Sequence, residues 1–355
     1  MHAKNAPPVT SFVPSLEEVR RPDFFIIGAP KCGTTALAEY LSRHPDVFMA
    51  RKEMHHFGRD LRFGSQIYRR SEGDYLKEFA GWNSQSRAGE ASVWYLFSAR
   101  AAAEIKAFNP RARIIIMLRE PTEMIYSLYN QFRLDGNEHL PSFEAALAAE
   151  DDRLAGRLTT RHTYFPQGLI YRSVAAYTEQ VRRYFDLFGR QQVHVVLYDD
   201  FAARTAEVYR EVLHFLGVEG KPTAESFPII NGSQVVKHAW LRNIMSDPLV
   251  RGTLIASRSW LPAPLFKALQ QMESQLMQRN IIPAKRPPMD LALRCQLQRE
   301  FAPEVKRFAE LLQRDLSSWL HEVKMNEAPA TSAALQNRPT TAETKPIKLT
   351  TCSNS

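Results

Sequence analysis

Three short, nearly continuous apolar runs constrain this chain more than any other feature: FFIIG (24–28), RIIIML (113–118) and VHVVLY (193–198). A strand with one wet face alternates apolar and polar residues. A strand covered on both faces does not, and such strands belong to parallel sheets flanked by helices. The stretches 34–43, 97–108, 121–134, 168–188 and 201–216 carry helical spacing, and DVFM (46–49) adds a further strand candidate. Strands alternating with helices predict a doubly wound α/β fold of mainly parallel strands. Phe301, Val305, Phe308, Leu312, Leu316, Trp319 and Leu320 recur at three- and four-residue steps and predict a closing helix packed on the body.

With 355 residues, 44% hydrophobic and 24% charged, the chain has ample core for one large domain or two smaller ones. Residues 1–22 carry Pro7, Pro8, Pro14 and Pro22 with no period and read as an extended arm. Residues 326–355 hold no aromatic side chain and cannot bury enough apolar surface to offset their ordering entropy, so a disordered tail is expected there. A single domain over 23–325 remains. Cys32, Cys295 and Cys352 are too few and too scattered for a disulfide framework or a cysteine-rich zinc site. The apolar runs are too short to cross a bilayer and the N-terminus shows no export pattern, so a cytoplasmic, reduced protein is expected. The net charge of +8 points to a polyanion, a nucleotide or an acidic substrate.

After the first run comes Gly28-Ala-Pro-Lys31-Cys32-Gly33-Thr34-Thr35-Ala36, leading into a helix. A strand, a glycine-bounded turn and a helix start form an anion site, because the exposed N–H groups and the helix dipole both favour negative charge. A triphosphatase loop places lysine directly after its second glycine, whereas this chain has Thr34 there and its lysine upstream at Lys31. Lysine at the loop's start would sit beside the phosphate nearest the reacting group. A cysteine phosphatase would need arginine six positions after the cysteine, and Ala38 stands there, so Cys32 reads as a small loop filler.

The second run ends in Arg119-Glu120-Pro121, and a helix then carries Ser127. Proline fixes a helix start, and arginine ending a strand points into the crevice where open α/β sheets bind ligands. Its planar fork suits a phosphate dianion, and Ser127 offers a hydroxyl two turns in. Arg51-Lys52-Glu53-Met54-His55-His56-Phe57 admits three readings: a metal site from Glu53, His55 and His56, a solvated charged turn, or a carboxylate base flanked by lysine and histidine.

FFIIGAPKCGTTALAEYL and RIIIMLREPTEMIYSLY together resemble the paired binding elements of sulfotransferases that use 3′-phosphoadenosine-5′-phosphosulfate (PAPS). KEMHHF (52–57) resembles the KExHFF stretch of heparan sulfate-type and bacterial members, with Gly58 where an acid often follows and Asp60 two residues on. GEASVWYL (89–96), Tyr177 with the helix and strand after it, and PEVKRFAELLQRDLSSW extend the likeness over about 23–320, with Val93 and Ala175 departing from the pattern.

The resemblance implies a P-loop-like fold and transfer of a sulfonyl group from PAPS to an acceptor hydroxyl, leaving 3′,5′-ADP and requiring no metal. It implies Glu53 as base, with Lys31 and His55 catalytic. Lys31, Cys32, Gly33, Thr34, Thr35, Ala36, Arg119, Ser127, Tyr177 and Lys237 would hold the nucleotide, and Lys52, Trp94 and Tyr95 the acceptor. The expected partner is a glycan or small hydroxylated molecule, not a nucleic acid. Two other classes fit parts of the pattern: a P-loop kinase or NTPase using Asp199-Asp200 for magnesium, and a non-catalytic basic module in which Arg279, Lys285, Arg286, Arg294 and Arg299 bind glycan.

Overall fold

The computed structural model describes residues 20–64, 70–160, 163–219, 227–228, 234–236, 280–283 and 286–320, with isolated positions between 253 and 276. The expected tail and the first 19 residues of the arm lie outside the described residues. Arg20–Pro22 lie against the body. The Arg21 guanidinium sits 4.7 Å from the Phe108 ring centre, and the Asn109 side chain donates to the Pro22 carbonyl at 2.9 Å.

Five strands form one parallel sheet: β1 (Phe24–Gly28), β2 (Val47–Met49), β3 (Arg87–Ala91), β4 (Arg113–Leu118) and β5 (Val193–Leu197), in the order β2-β3-β1-β4-β5. All five residues of β1 are buried, as are the last five of β4, so the continuous apolar runs do mark strands covered on both faces. The fold is the P-loop-like α/β architecture expected. A short antiparallel pair, β6 (Gln234–Val236) with β7 (Ile281–Pro283), lies outside this sheet.

Helices α1 (Thr34–Ser42), α2 (Glu72–Lys77) and α3 (Ala101–Phe108) connect the first four strands, and α4 (Pro121–Asp135) follows β4. Glu120 caps α4 by accepting from the Thr122 and Glu123 amides at 2.9 and 2.7 Å. Pro121 begins the helix, and Gly136 ends it in the left-handed conformation. The stretch 168–188 is two helices, α7 (Tyr171–Val174) and α8 (Tyr177–Phe188), after the short α5 (Phe143–Ala148) and α6 (Glu150–Leu154). Likewise 201–216 divides at Arg204 into α9 (Tyr198–Ala203) and α10 (Thr205–Leu216). The closing helix α11 runs Leu291–Leu312, earlier than its apolar pattern indicated, and Leu316 and Trp319 are buried just beyond it. No described helix is long and apolar enough to cross a membrane.

Strand β3 escaped the sequence reading because RAGEA has no large apolar residue. Its small side chains make room for a neighbour: a Cβ on Gly89 would lie 2.4 Å from the Phe24 ring of β1. Gly28 meets a harder limit at the start of the loop after β1, since its Cβ would fall 2.1 Å from the Met117 carbonyl oxygen of β4. Gly28→Ala is therefore expected to destabilise the protein by about 3 kcal/mol or more, the upper range for overpacking, because rigid backbone and not a flexible side chain stands in the way. Urea unfolding of the variant measures this, and an unchanged midpoint would show that β1 and β4 can separate without loss.

Candidate active site

In an open α/β sheet the ligand crevice opens beyond the carboxyl ends of the strands, where the chain order reverses. Here β1 is central and pairs in parallel with β3 on one side and β4 on the other, with Gly28 opposite Met117. The loop after β1 and the loop after β4 therefore leave the sheet side by side, and both anion elements read in the sequence open into one crevice.

The turn between β1 and α1 bends through left-handed backbone at Lys31 (φ 64°) and Gly33 (φ 89°). No side chain caps α1, so the donors of its first turn remain available to an anion. The Lys31 ammonium donates to Gln131 Oε1 on α4 at 2.8 Å. Burial pushes the Lys31 amine below its usual range, Asp135 opposes this, and Lys52, Arg119 and Arg286 lower it further. Lys31 thus feels the Arg119 charge directly. Cys32 is fully buried, its thiol donates to the Pro30 carbonyl at 3.4 Å, and burial raises its pKa well above the usual range. It fills the loop and is no nucleophile.

The segment after β2 brings Glu53 to this crevice. Lys52 Nζ lies 3.4 Å from Glu53 Oε1 and donates to both the Thr34 and Thr35 hydroxyls at 2.8 Å. Glu53 Oε2 accepts the Val93 amide at 3.0 Å, and 22% of its side chain reaches solvent. Burial raises the Glu53 pKa, while Lys52 and the Val93 amide oppose the rise. Lys52, expected against an acceptor, instead ties the phosphate loop to the carboxylate. His55 sits beside Glu53 in left-handed backbone (φ 48°), its ring 4.8 Å from that of Phe63. Asp60 accepts from the Ser98 hydroxyl and the Ala99 amide and so belongs to that turn.

At the end of β4, Arg119 stacks 4.6 Å over the Tyr198 ring and reaches Glu123 Oε2 at 3.4 Å. Arg286 meets the same oxygen at 2.7 Å, and Arg294 at the start of α11 pairs with Glu123 Oε1. Three guanidinium groups thus converge on one carboxylate, each with about a fifth of its side chain exposed, and Ser127 is half-buried further along α4. Burial alone would raise the Glu123 pKa. The Arg286 hydrogen bond and the Arg294 charge outweigh it and hold the carboxyl below its usual range. Arg286 and Arg294 stood in the basic stretch that a non-catalytic module would turn to glycan, and their distance in sequence from Glu123 hid the pairing.

The remaining expected site residues divide. Ala36 lies in the first turn of α1, partly buried. Tyr177 is buried at the start of α8 with its hydroxyl unpartnered, beneath the loops and within electrostatic reach of Cys32 and Arg119. Trp94 and Tyr95 are core residues, not sugar platforms: Trp94 packs against Phe132 and Phe165, and the Tyr95 hydroxyl lies buried against Glu90. Lys237 lies outside the described residues. Asp199 accepts from the Trp319 indole at 2.9 Å and Asp200 pairs with Arg314, so both carboxylates already have partners. Among the described residues no group of three His, Cys, Asp or Glu side chains could hold a metal ion. Beside Lys31, sequence reading missed a chain of contacts: Gln131 donates to Asp135 at 2.9 Å, and Asp135 accepts from the Tyr164 hydroxyl at 3.4 Å.

The P-loop-like sheet thus gathers cationic side chains from two neighbouring loops at its strand ends, with the partly exposed Glu53 carboxylate tied to the first of them through Lys52. Residues 21–313 match the family described as "Sulfotransferase domain", and the chain belongs to that family. A solved sulfotransferase from Alicyclobacillus acidocaldarius is 31% identical with a TM-score of 0.61, the match covering 85% of this chain and 100% of that one. Human carbohydrate sulfotransferase 15 is 30% identical over 56% of this chain and 44% of its own length. Mouse heparan sulfate glucosamine 3-O-sulfotransferase 3B1 is 30% identical over 62% of this chain and 52% of its own. The chain thus spans about half the length of these two relatives.

Because Glu123 separates three like charges, Glu123→Gln is expected to destabilise the protein by roughly 2 kcal/mol, short of the ~3–5 kcal/mol for breaking a fully buried pair since water reaches the group. A depressed carboxyl stabilises above its unfolded pKa, and that contribution is lost as pH falls through the lower folded value. Thermal unfolding should show this acid limb in the parent and not in the variant, and millimolar sulfate should recover part of the variant's loss.

Proposed function

We propose that this protein transfers the sulfonyl group of PAPS to a hydroxyl of a carbohydrate or similar small acceptor, with Glu53 as the base. The observation that carries the reading is the shared crevice. Lys31 and the α1 start leave β1, Arg119 leaves the adjacent β4, and Glu53 is tethered to the first loop through Lys52. A nucleotide bearing phosphates at both ends of its ribose calls for two such cradles. The residues present fit it: the uncapped first turn of α1 would take the 5′-phosphate, and Arg119 with Ser127, Arg286 and Arg294 would take the 3′-phosphate. Three arginines against one glutamate leave a net charge suited to a dianion. The names of the relatives, carbohydrate and heparan sulfate sulfotransferases, support a sugar acceptor.

The donor supplies an activated sulfonyl group. Glu53 takes the proton of the acceptor hydroxyl as its oxygen bonds to sulfur. The sulfur–oxygen bond to the 5′-phosphate breaks, and 3′,5′-ADP departs with that electron pair. Lys31 neutralises the charge gathering on the departing oxygen, and the first turn of α1 holds the phosphate still. The raised pKa of Glu53 makes it a stronger base than a surface glutamate, while the Lys52 charge opposes that rise and favours the ionised form.

Thermal-shift titration tests the donor. Stabilisation by 3′,5′-ADP without magnesium is expected, with the gain lost for 5′-AMP and reduced in Arg119→Ala. Stabilisation by Mg-ATP alone would turn the reading to a kinase.

Labelled PAPS offered with a panel of hydroxylated acceptors tests the reaction. Glu53→Gln should lower turnover about 100-fold or more while 3′,5′-ADP still binds. The rate should rise with pH through a midpoint above the ordinary glutamate value of 4.5, because the base must be ionised and its folded pKa is raised. Lys52→Met should move that midpoint higher still. A midpoint at or below 4.5 would remove Glu53 from the role.

A further inference from the structure

Glu90 on β3 is a fully buried carboxylic acid that the proposed chemistry does not use. Its carboxylate accepts three hydroxyl protons: from Tyr75 at 2.8 Å, Ser92 at 2.7 Å and Tyr95 at 3.2 Å. Tyr75, Ser92 and Tyr95 are each no more than 1% exposed. Two of these hydroxyls then serve the segment that carries Glu53. Ser92 Oγ accepts the Met54 amide at 3.0 Å, and the Tyr95 hydroxyl accepts the His56 and Phe57 amides at 3.0 and 3.4 Å.

A hydroxyl has a single proton. When Ser92 and Tyr95 give theirs to Glu90, only lone pairs face the backbone, and those lone pairs suit the amide donors of 54, 56 and 57. We infer that Glu90 is a positioning residue for the base: it fixes the proton direction of the Ser92 and Tyr95 hydroxyls, which then clamp the backbone just after Glu53. The inference rests on Glu53 being the base. An amide at position 90 would break the pattern, since its NH2 donates where the carboxylate accepted. At least one hydroxyl would then turn its proton toward an amide that also donates.

Both carboxylate oxygens are engaged, Oε1 by the Tyr75 and Tyr95 hydroxyls and Oε2 by that of Ser92. Burial raises the Glu90 carboxyl and the nearby Glu53 charge adds to the rise, while the three hydroxyls oppose both and leave it at about 7. A neutral side chain would avoid that desolvation cost, so β3 carries a destabilising acid whose hydrogen bonds lead to the Glu53 segment. The Val93 amide, between Ser92 and Tyr95 in sequence, donates to Glu53 itself at 3.0 Å. One short stretch, 90–95, therefore grips the base both at its carboxylate and through the backbone that follows it.

Ser92→Ala and Tyr95→Phe test this with the least change in volume, and Glu90→Gln tests the charge. Hydrogen exchange should quicken at the amides of Met54, His56 and Phe57 by roughly five- to tenfold in the two hydroxyl variants, the loss of about one hydrogen bond. Exchange in α1 and β4 and the affinity for 3′,5′-ADP should hold within about twofold. Release of 3′,5′-ADP from PAPS, in the presence of whichever hydroxylated acceptor supports turnover, should fall by about tenfold or more in all three variants as the base drifts from its place.

Unchanged exchange at 54–57 in both hydroxyl variants overturns the clamp. So does a loss of 3′,5′-ADP affinity that matches the loss of turnover, since that would mark general unfolding of the crevice. Glu53→Gln in the same assay separates the two ideas. If it keeps full turnover, the base assignment fails. If it loses turnover while Glu90→Gln keeps it, only the role of Glu90 fails.

Discussion

The parallel pairing of β1 with β4 is the constraint on which the site depends. Gly28 stands opposite Met117, and nothing larger than hydrogen fits between the Gly28 Cα and the Met117 carbonyl. Two loops that each carry cationic side chains are thereby held at strand spacing, on the order of 5 Å. Neither loop would be a strong anion site alone: one is a turn with a lysine, the other an arginine facing a glutamate. Adjacent, they make a single crevice in which the Arg119 charge reaches Lys31.

Gathering Lys31, Lys52, Arg119, Arg286 and Arg294 around one crevice works against folding, because like charges repel and partial burial strips their water. The protein answers with acids placed one per cluster. Glu123 serves the three arginines, Glu53 serves Lys52, and Asp135 acts on Lys31 at a distance through Gln131. The balance is incomplete, so positive charge remains directed into the crevice. A bound anion would complete it, and binding energy and stability are linked through the same residues.

The central strands and the helix starts were legible because their causes are local. FFIIG and RIIIML are strands over the residues read, and Pro121 begins α4 where expected. The misses share a different cause. β3 is built of small residues whose fitness comes from the Phe24 ring of a neighbouring strand, which its own sequence does not display. Arg286 and Arg294 read only as part of a basic stretch because their counter-ion lies more than 160 residues away on α4. Trp94 and Tyr95 were assigned to the acceptor by resemblance, and their burial against Phe132, Phe165 and Glu90 places them in the core. Lys52 was assigned to the acceptor side, and only the fold of the segment after β2 turns it toward Thr34 and Thr35.

Two carboxylates stand near each other here, one partly exposed and one fully buried, and their environments suit them to different tasks. Glu53 keeps a path to solvent and a lysine partner, so it can exchange a proton with something entering the crevice. Glu90 has no exposure and only hydroxyl donors around it, so it can direct hydrogen bonds but has no route to a reacting molecule. Exchanging their surroundings would exchange their roles, since the side chains are identical. What suits Glu53 to the proposed role of base is its opening to the crevice at the strand ends. What makes Glu90 a support is its position on β3, with both faces of the sheet covered.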